Sequence, residues 1–331
     1  MMPLIAGFGV LLLKLGMVLV GLLLFAGWLV YGERRLLGWI QLRLGPNRAG
    51  PFGLLQPLAD IIKMLTKEDV APKGADRTVF LYAPAVAAVT ALLIFAVVPF
   101  GRPLTLWGRE IPLLISDLNV GVLYVLALSS LGVYGVALGG WASNSKYSFL
   151  GGIRGVAQMI SYELSLGLSL VPIVMLAGSF SLVDIVDAQA RFPFILVQPH
   201  AFLIFFISAT AEIKRMPFDL PEAENELVAG YHTEYSGMRF GLFFLGEYVT
   251  MVVLGSLVAV FFLGGWRGPL LPPIVWFFGK VMITVFVMIW VRGTLPRLRY
   301  DQLMHLGWKL LIPVSLLNIM ATGGVVLLLG G

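Results

Sequence analysis

Apolar runs, most of them about twenty residues long, recur along the whole chain and alternate with polar stretches. They predict eight membrane-crossing helices at about 5–30, 79–99, 118–140, 158–178, 197–212, 240–264, 273–291 and 309–330. A helix needs about 20 apolar residues to cross the hydrocarbon core. The fifth run has only about 16, so it is expected to continue into the polar loop or to be shielded by protein. The expected fold is therefore a single all-α polytopic membrane domain with loops 31–78, 141–157, 213–239 and 292–308 on one side. The first run, Pro3 to Val30, is too long for a signal h-region and lacks a small-residue cleavage site, so it reads as the first span. In loop 1, Leu54, Leu55, Leu58, Ile61, Ile62 and Leu65 recur at helical spacing, with Asp60 and Lys63 on another face. That is an amphipathic helix lying at the membrane interface or folding under the bundle. On a plain surface helix, Asp60 and Lys63 would simply pair.

Composition sharpens this picture. The 331 residues are 59% hydrophobic and 12% charged, against about 45–50% and about 25% for a soluble domain. There is no cysteine, which excludes iron–sulfur clusters ligated by this chain and haem attached through Cys-x-x-Cys-His. His200, His232 and His305 do not sit at the spacing of a helical metal site, and no dinucleotide fingerprint or P-loop is present. No bound metal, flavin or haem is expected, so any electron carriers would be on partners. Of the 23 lysines and arginines, seventeen fall in the odd-numbered loops and four in the even-numbered ones. The positive-inside rule puts the odd loops in the cytoplasm and both termini outside. The net charge of +5 then reflects topology and a docking surface for a cytoplasmic partner, with no call for nucleic acid.

Three carboxylates fall inside apolar runs: Glu163 in "ISYELSLGLSL", Glu212 at the end of the fifth run and Glu247 in "FFLGEYVTMVV". An acid at the centre of a membrane helix costs about 2.5–3.5 kcal/mol on insertion scales, which makes each a functional candidate. The plainer account is pairing with Lys14 or Lys280, but three acids outnumber two lysines. Seven of the eighteen acids lie between 212 and 247. Two carboxylates about 6 Å apart repel by roughly 3 kcal/mol at an effective dielectric near 20. Such groups share protons and titrate as a unit, as a proton relay requires. Within "MPFDLPEAENEL", residues 216–227, sit Asp219, Glu222, Glu224 and Glu226. Pro221 suits a first helical turn, Asp219 and Glu222 have capping-box spacing, and Glu224 and Glu226 would lie near the positive end of the helix dipole. Capping accounts for two of the four acids. A solvated loop is the other plain account, but Phe218, Leu220, Leu227, Val228, Tyr231 and Tyr235 interleave with the acids and suggest a partly buried segment.

Four blocks, in order, carry a resemblance: "ERRLLGWIQLRLGPNRAGPFGLLQPLADIIKMLTKED", "GWASNSKYSFLGGIRGVAQMISYEL", "AEIKRMPFDLPEAENELVAGYHTEYSGM" and "PRLRYDQLMHLGWKLLIP". They resemble the H-subunit family of bacterial NADH:quinone oxidoreductase, respiratory complex I, over nearly the whole chain. The resemblance implies an eight-helix membrane component of a proton-pumping translocase in the bacterial cell inner membrane, not catalytic alone. The implied substrate is ubiquinone or menaquinone. The implied partners are cytoplasmic quinone-site and iron–sulfur subunits, antiporter-like membrane subunits and the lipid bilayer. It implies quinone-tunnel roles for Glu33, Arg34, Arg35, Asp60 and Lys63, and for Arg215, Phe218, Asp219, Glu222, Glu224 and Glu226. It implies a proton relay through Glu163, Glu212 and Glu247, with Glu224 and Glu226 near its origin. Some relatives carry an acid in the third span where this chain has Ser129 and Ser130, so a relay here does without that group or uses water. Two other readings stand beside this one. The first is the equivalent component of a membrane-bound hydrogenase or dehydrogenase, although the unbroken "PFDLPEAENELVAGYHTEYSG" favours the quinone-reducing branch. The second is a stand-alone proton or cation transporter, against which stand the lack of an internal repeat and the long polar loops all on one side.

Overall fold

The computed structural model describes the backbone of residues 2–106 and 109–329, and their side chains apart from 2–8, 10, 104–106, 109–111, 224, 225 and 329. Helix α1 (Met2–Ile40) is followed by the interfacial α2 (Gln56–Thr66), α3 (Arg77–Ile94), α4 (Gly121–Ala142) and α5 (Lys146–Ala177). Two short helices, α6 (Leu182–Ala188) and α7 (Phe194–Val197), lead into α8 (Pro199–Glu212). After a polar loop holding α9 (Glu224–Leu227) come α10 (Gly237–Phe262), α11 (Pro273–Thr294), α12 (Tyr300–His305) and α13 (Ile312–Leu329). A wider π-helical turn, Leu306–Leu311, joins the last two. Among the described residues the only strands are Leu104–Leu106 and Arg109–Ile111, an antiparallel hairpin in the loop between α3 and α4.

Local chemistry sets these boundaries. Asp76 caps α3 by accepting from the backbone N–H groups of Thr78 and Val79. Gly178, at φ 68°, closes α5 in the left-handed region. Proline occupies the first turn of α2, α8 and α11, where its missing N–H costs nothing. Helix α1 runs ten residues past the expected end of its apolar run, because Glu33, Arg34 and Arg35 are good helix formers, and the chain leaves helical geometry at Leu42, at φ 52°. Helix α5 likewise starts at Lys146, inside the expected loop 141–157. The capping-box start expected at Asp219–Glu222 does not form. The helical turn begins at Glu224 with Ala223 before it, and both acids turn to tertiary partners instead.

Among the described residues, seven helices are long and apolar enough to cross a membrane; α8, at 14 residues, is shorter. Helix α10 is the most enclosed, with 78% of its most apolar window buried, while α1 and the α12–α13 helix each show 17% and lie at the periphery. Helix α10 packs on α3, α11 and α1; α3 packs on α4, α4 on α5, and α5 on α8 and α13. The short α8 is buried through its last turn, from Ser208 to Glu212, so its polar end meets protein. In α11, Lys280 donates to the carbonyls of Leu263, Gly265 and Arg267 at 2.6, 2.9 and 2.7 Å, satisfying the carbonyl end of α10.

The loop 213–236 is folded onto this bundle. Gln158 of α5 donates to the carbonyls of Ala211 and Phe218, both at 2.8 Å, and clips the loop's entry. Gly230, at φ 61°, brings the loop back on itself: a Cβ there would lie 1.7 Å from the carbonyl oxygen of Pro221. Gly230→Ala should therefore open the loop, at a cost of about 1–3 kcal/mol for the overpacking. Limited proteolysis of the assembled complex should cut within 219–236 several-fold faster in the variant than in the wild type.

Candidate functional site

Burial inside a membrane domain leaves a charge two stable options, a partner or a proton. The described structure uses both, at the junction of α1, α10, α11 and the loop 213–236. Glu33, 1% exposed on α1, accepts from Arg215 of the loop and from Arg292 at the end of α11. The Arg215 guanidinium also lies 4.1 Å from the centre of the Tyr248 ring. Asp219 accepts from Arg297 at 3.0 Å. Burial pushes the Asp219 carboxyl up, and Arg297 pulls against that shift. These groups surround a pocket of about 190 Å³ lined by four acids (Glu33, Asp219, Glu222, Glu247) and four cations (Arg34, Lys214, Arg215, Arg292).

Tyr231, fully buried, contacts three residues of this pocket's wall. Its hydroxyl accepts from Lys214 at 2.8 Å and faces carboxyl oxygens of both Glu247, at 3.0 Å, and Glu222, at 3.2 Å. A phenol has one proton to donate, so only one carboxyl can receive it at a time. Glu222 and Glu247 thus meet through the Tyr231 hydroxyl, and Lys214 lies 3.7 Å from Glu247. Burial, then the neighbouring Glu247, pushes the Glu222 carboxyl well above the usual range. Burial also lowers the His232 imidazole to about 4, so the ring beside Glu222 is neutral.

Lys214 and Glu247 line a second space as well: a cavity of about 60 Å³ bounded by α3, α4, α8 and α10. Glu212 opens onto it with Oε2 buried and without a hydrogen-bond partner. The other oxygen of Glu212 accepts from Ser129, and Glu163 accepts from Ser130. Toward α2, Arg34 lines both the 190 Å³ pocket and a further pocket of about 300 Å³ that includes Asp60 and Lys63. From α2 inward, the pockets follow one another as spaces that share charged side chains in their walls: Arg34 between the first two, Lys214 and Glu247 between the last two.

The NADH dehydrogenase family model matches residues 13–323. The chain is 72% identical over 325 residues to NADH-quinone oxidoreductase H-subunit 2 of Syntrophobacter fumaroxidans, covering 98% of each chain. It is 65% identical over 328 residues to NADH-quinone oxidoreductase H-subunit 1 of Geobacter metallireducens, covering 99% of this chain and 100% of that one. The corresponding H-subunit of Thermomicrobium roseum is 55% identical over 316 residues, 92% of each chain. The chain belongs to the H-subunit family of NADH-quinone oxidoreductase. Together with its seven long apolar helices, this makes it a multi-pass membrane protein.

The candidate residues of this H-subunit do not all meet. Glu33, Arg34, Arg215, Asp219, Glu222 and Glu247 share the 190 Å³ pocket. Asp60 pairs with Arg34 at 2.8 Å and not with Lys63, which lines the α2 pocket. Arg35 donates to Tyr31 and to the carbonyl of Phe52, both at 2.8 Å, fastening the start of loop 1. Phe218 lies in the core against Tyr162, with ring centres 5.6 Å apart, and does not line the pocket. Glu226 is half exposed and pairs with Arg154 at 2.6 Å, away from the buried line; the side chain of Glu224 lies outside the described residues. Neither lysine of the spans pairs with a buried acid: Lys14 donates to the carbonyl of Pro112, and Lys280 to the end of α10. Sequence reasoning misses the site roles of Lys214, Arg292, Arg297, Tyr231 and Tyr248. The signal that could have found the cations is charge balance, because a loop acid buried beside the bundle needs a basic partner and loop 7 supplies two.

Two outcomes follow from the pairing. Glu33→Ala leaves two arginines facing each other, one of them buried, and should destabilise the protein by about 3–5 kcal/mol. Glu226→Ala breaks a half-exposed pair and should cost no more than about 1 kcal/mol. Thermal inactivation of the two variant complexes gives the comparison, and equal losses would contradict the assignment. A third outcome concerns pH. The folded pKa of Glu222 lies above its ordinary value of 4.5. Its neutral form therefore favours the closed loop, and that contribution is lost as pH rises above about 4.5 through the folded value. Amide exchange within 221–236 should be slower in Glu222→Gln than in the wild type at pH 8, and alike in both near pH 4.

Proposed function

We propose that this chain shapes the quinone-binding space of an NADH-quinone oxidoreductase and couples quinone reduction to proton translocation. The observation that carries this reading is the shared wall. Lys214 and Glu247 line both the loop-side pocket and the cavity that holds Glu212, so a change on one side is felt on the other. Family membership supports quinone as the substrate and the other components of such a complex as partners. These comprise a cytoplasmic quinone-site subunit, an iron–sulfur subunit that delivers electrons, and antiporter-like membrane subunits.

In this account the quinone enters beside α1 and α2, where the α2 pocket is bordered by Arg34, Asp60 and Lys63. Reduction of the head group creates negative charge or a demand for protons in a space of low dielectric. Glu222 and Glu247, which interact through Tyr231, are placed to respond. The shared proton is drawn from the Glu222–Glu247 pair toward the reduced head group, Lys214 reorients between Tyr231 and the carboxyl left ionised, and the altered field acts on Glu212 across the 60 Å³ cavity. Ser129 and Ser130 on α4 stand beside Glu212 and Glu163, the last acids of the line. Gln158 fixes the loop as far as Phe218, so the element that moves is 219–236, held by contacts that depend on charge. Counting α8 as the fifth of eight crossings, the bias of lysine and arginine puts this loop in the cytoplasm and both termini on the outer face of the bacterial cell membrane.

Glu212→Gln and Glu163→Gln should each abolish proton translocation coupled to quinone reduction in proteoliposomes. Assembly and NADH oxidation by an artificial acceptor should persist. Wild-type pumping in either variant would overturn the relay.

A further inference from the structure

At the other end of α1 lies a feature that the proposed coupling does not use. An apolar groove of about 630 Å³ runs between α1, α10 and α11, walled by Leu22, Phe25, Phe95, Ile274 and Phe278. Its volume falls in the range of ligand-sized pockets, about 300–1,000 Å³. Lys14 lies at its rim and donates to the carbonyl of Pro112, in the loop between α3 and α4, at 3.0 Å. Lys14 and Glu33 are nineteen residues apart on one helix, which at 1.5 Å per residue is about 28 Å. That nearly equals the hydrocarbon thickness of about 30 Å. The rim of the groove therefore lies at the opposite membrane surface from the acid-rich pocket. Arg102 is exposed at the same surface, two residues beyond the groove-lining Phe100. A flat helix face is wetted by freely exchanging lipid; a concave slot with a cation at its mouth selects among lipids.

We propose that the groove seats an acyl chain of an acidic phospholipid from the outer leaflet, with the anionic headgroup against Lys14. The ammonium lies where the headgroup phosphate of such a lipid would sit, and the walls below it offer only apolar contacts to the chain. A quinone is a poor match at this end, because its uncharged head gives Lys14 no counter-charge. Gly21 keeps the slot open: a Cβ there meets nothing within 4 Å. A large side chain at this position would fill the slot with little strain on the backbone.

The test uses the whole assembled complex in phosphatidylcholine bilayer discs. The discs are doped with a trace of either phosphatidylglycerol or phosphatidylcholine carrying a photoreactive group midway along one chain, and crosslinks are mapped by mass spectrometry. Phosphatidylglycerol should label α1 and α11 at the groove about fivefold more than phosphatidylcholine, the factor that one cation near the surface confers at about 1 kcal/mol. Lys14→Gln should remove most of that preference, and Gly21→Phe should remove groove labelling by both lipids. Equal labelling by the two lipids in the wild-type complex would overturn the proposal. So would labelling that survives Gly21→Phe, or occupation of the groove by a photoreactive quinone or a neighbouring protein of the complex. The two-lipid comparison on the wild type decides the matter even if a variant fails to assemble, and it reads lipid capture independently of pumping.

Discussion

A charge withdrawn from water must be answered within the protein, and the architecture around Glu33 follows from that constraint. Glu33 belongs to α1, Arg215 to the loop after α8, and Arg292 to the end of α11. One carboxylate therefore ties three separate parts of the chain. Removing either side leaves an uncompensated charge, so the junction holds together as a unit. The loop is drawn in by this tie, by Asp219 on Arg297 and by the Gln158 clip, and Glu222 is carried in with it.

Where cations run out, protons take over. Glu222, Glu247 and Tyr231 have Lys214 as their nearest cation, and burial disfavours leaving every carboxyl ionised. Deeper still, Glu212 and Glu163 meet serine hydroxyls, which can donate to an ionised acid or accept from a neutral one. The line therefore passes from fully paired charge, through a shared-proton cluster, to carboxyls held only by hydroxyls. Under the proposed coupling, such a gradient would let an event at the loop end alter protonation further along without breaking the paired anchor.

Much of the fold was legible in the sequence because hydrophobic length is a local property. The all-helical class and the interfacial α2 follow from apolar periodicity alone. Helix ends were less legible: α1 and α5 run on into polar residues that are themselves good helix formers, and hydropathy reports solvent, not backbone. The grouping of Glu33 with Arg215 came from resemblance, whereas Asp219 and Glu222 stood out already within one acid-rich stretch. The cationic partners Arg292 of Glu33 and Arg297 of Asp219 lie more than seventy residues from those acids, and pairing across such separations leaves no periodic trace. Glu226 marks the opposite case, an acid in an acid-rich run whose helical turn points it to the surface and Arg154.

The central claim is that the Glu222–Glu247 pair changes protonation when quinone is reduced. Redox-difference infrared spectroscopy of the assembled complex, following the protonated-carboxyl band as quinone is reduced, reads this directly. The account expects a carboxyl signal in the wild type that disappears in Glu222→Gln and in Glu247→Gln and persists in Glu226→Gln. A signal unchanged in both of the first two variants would contradict it.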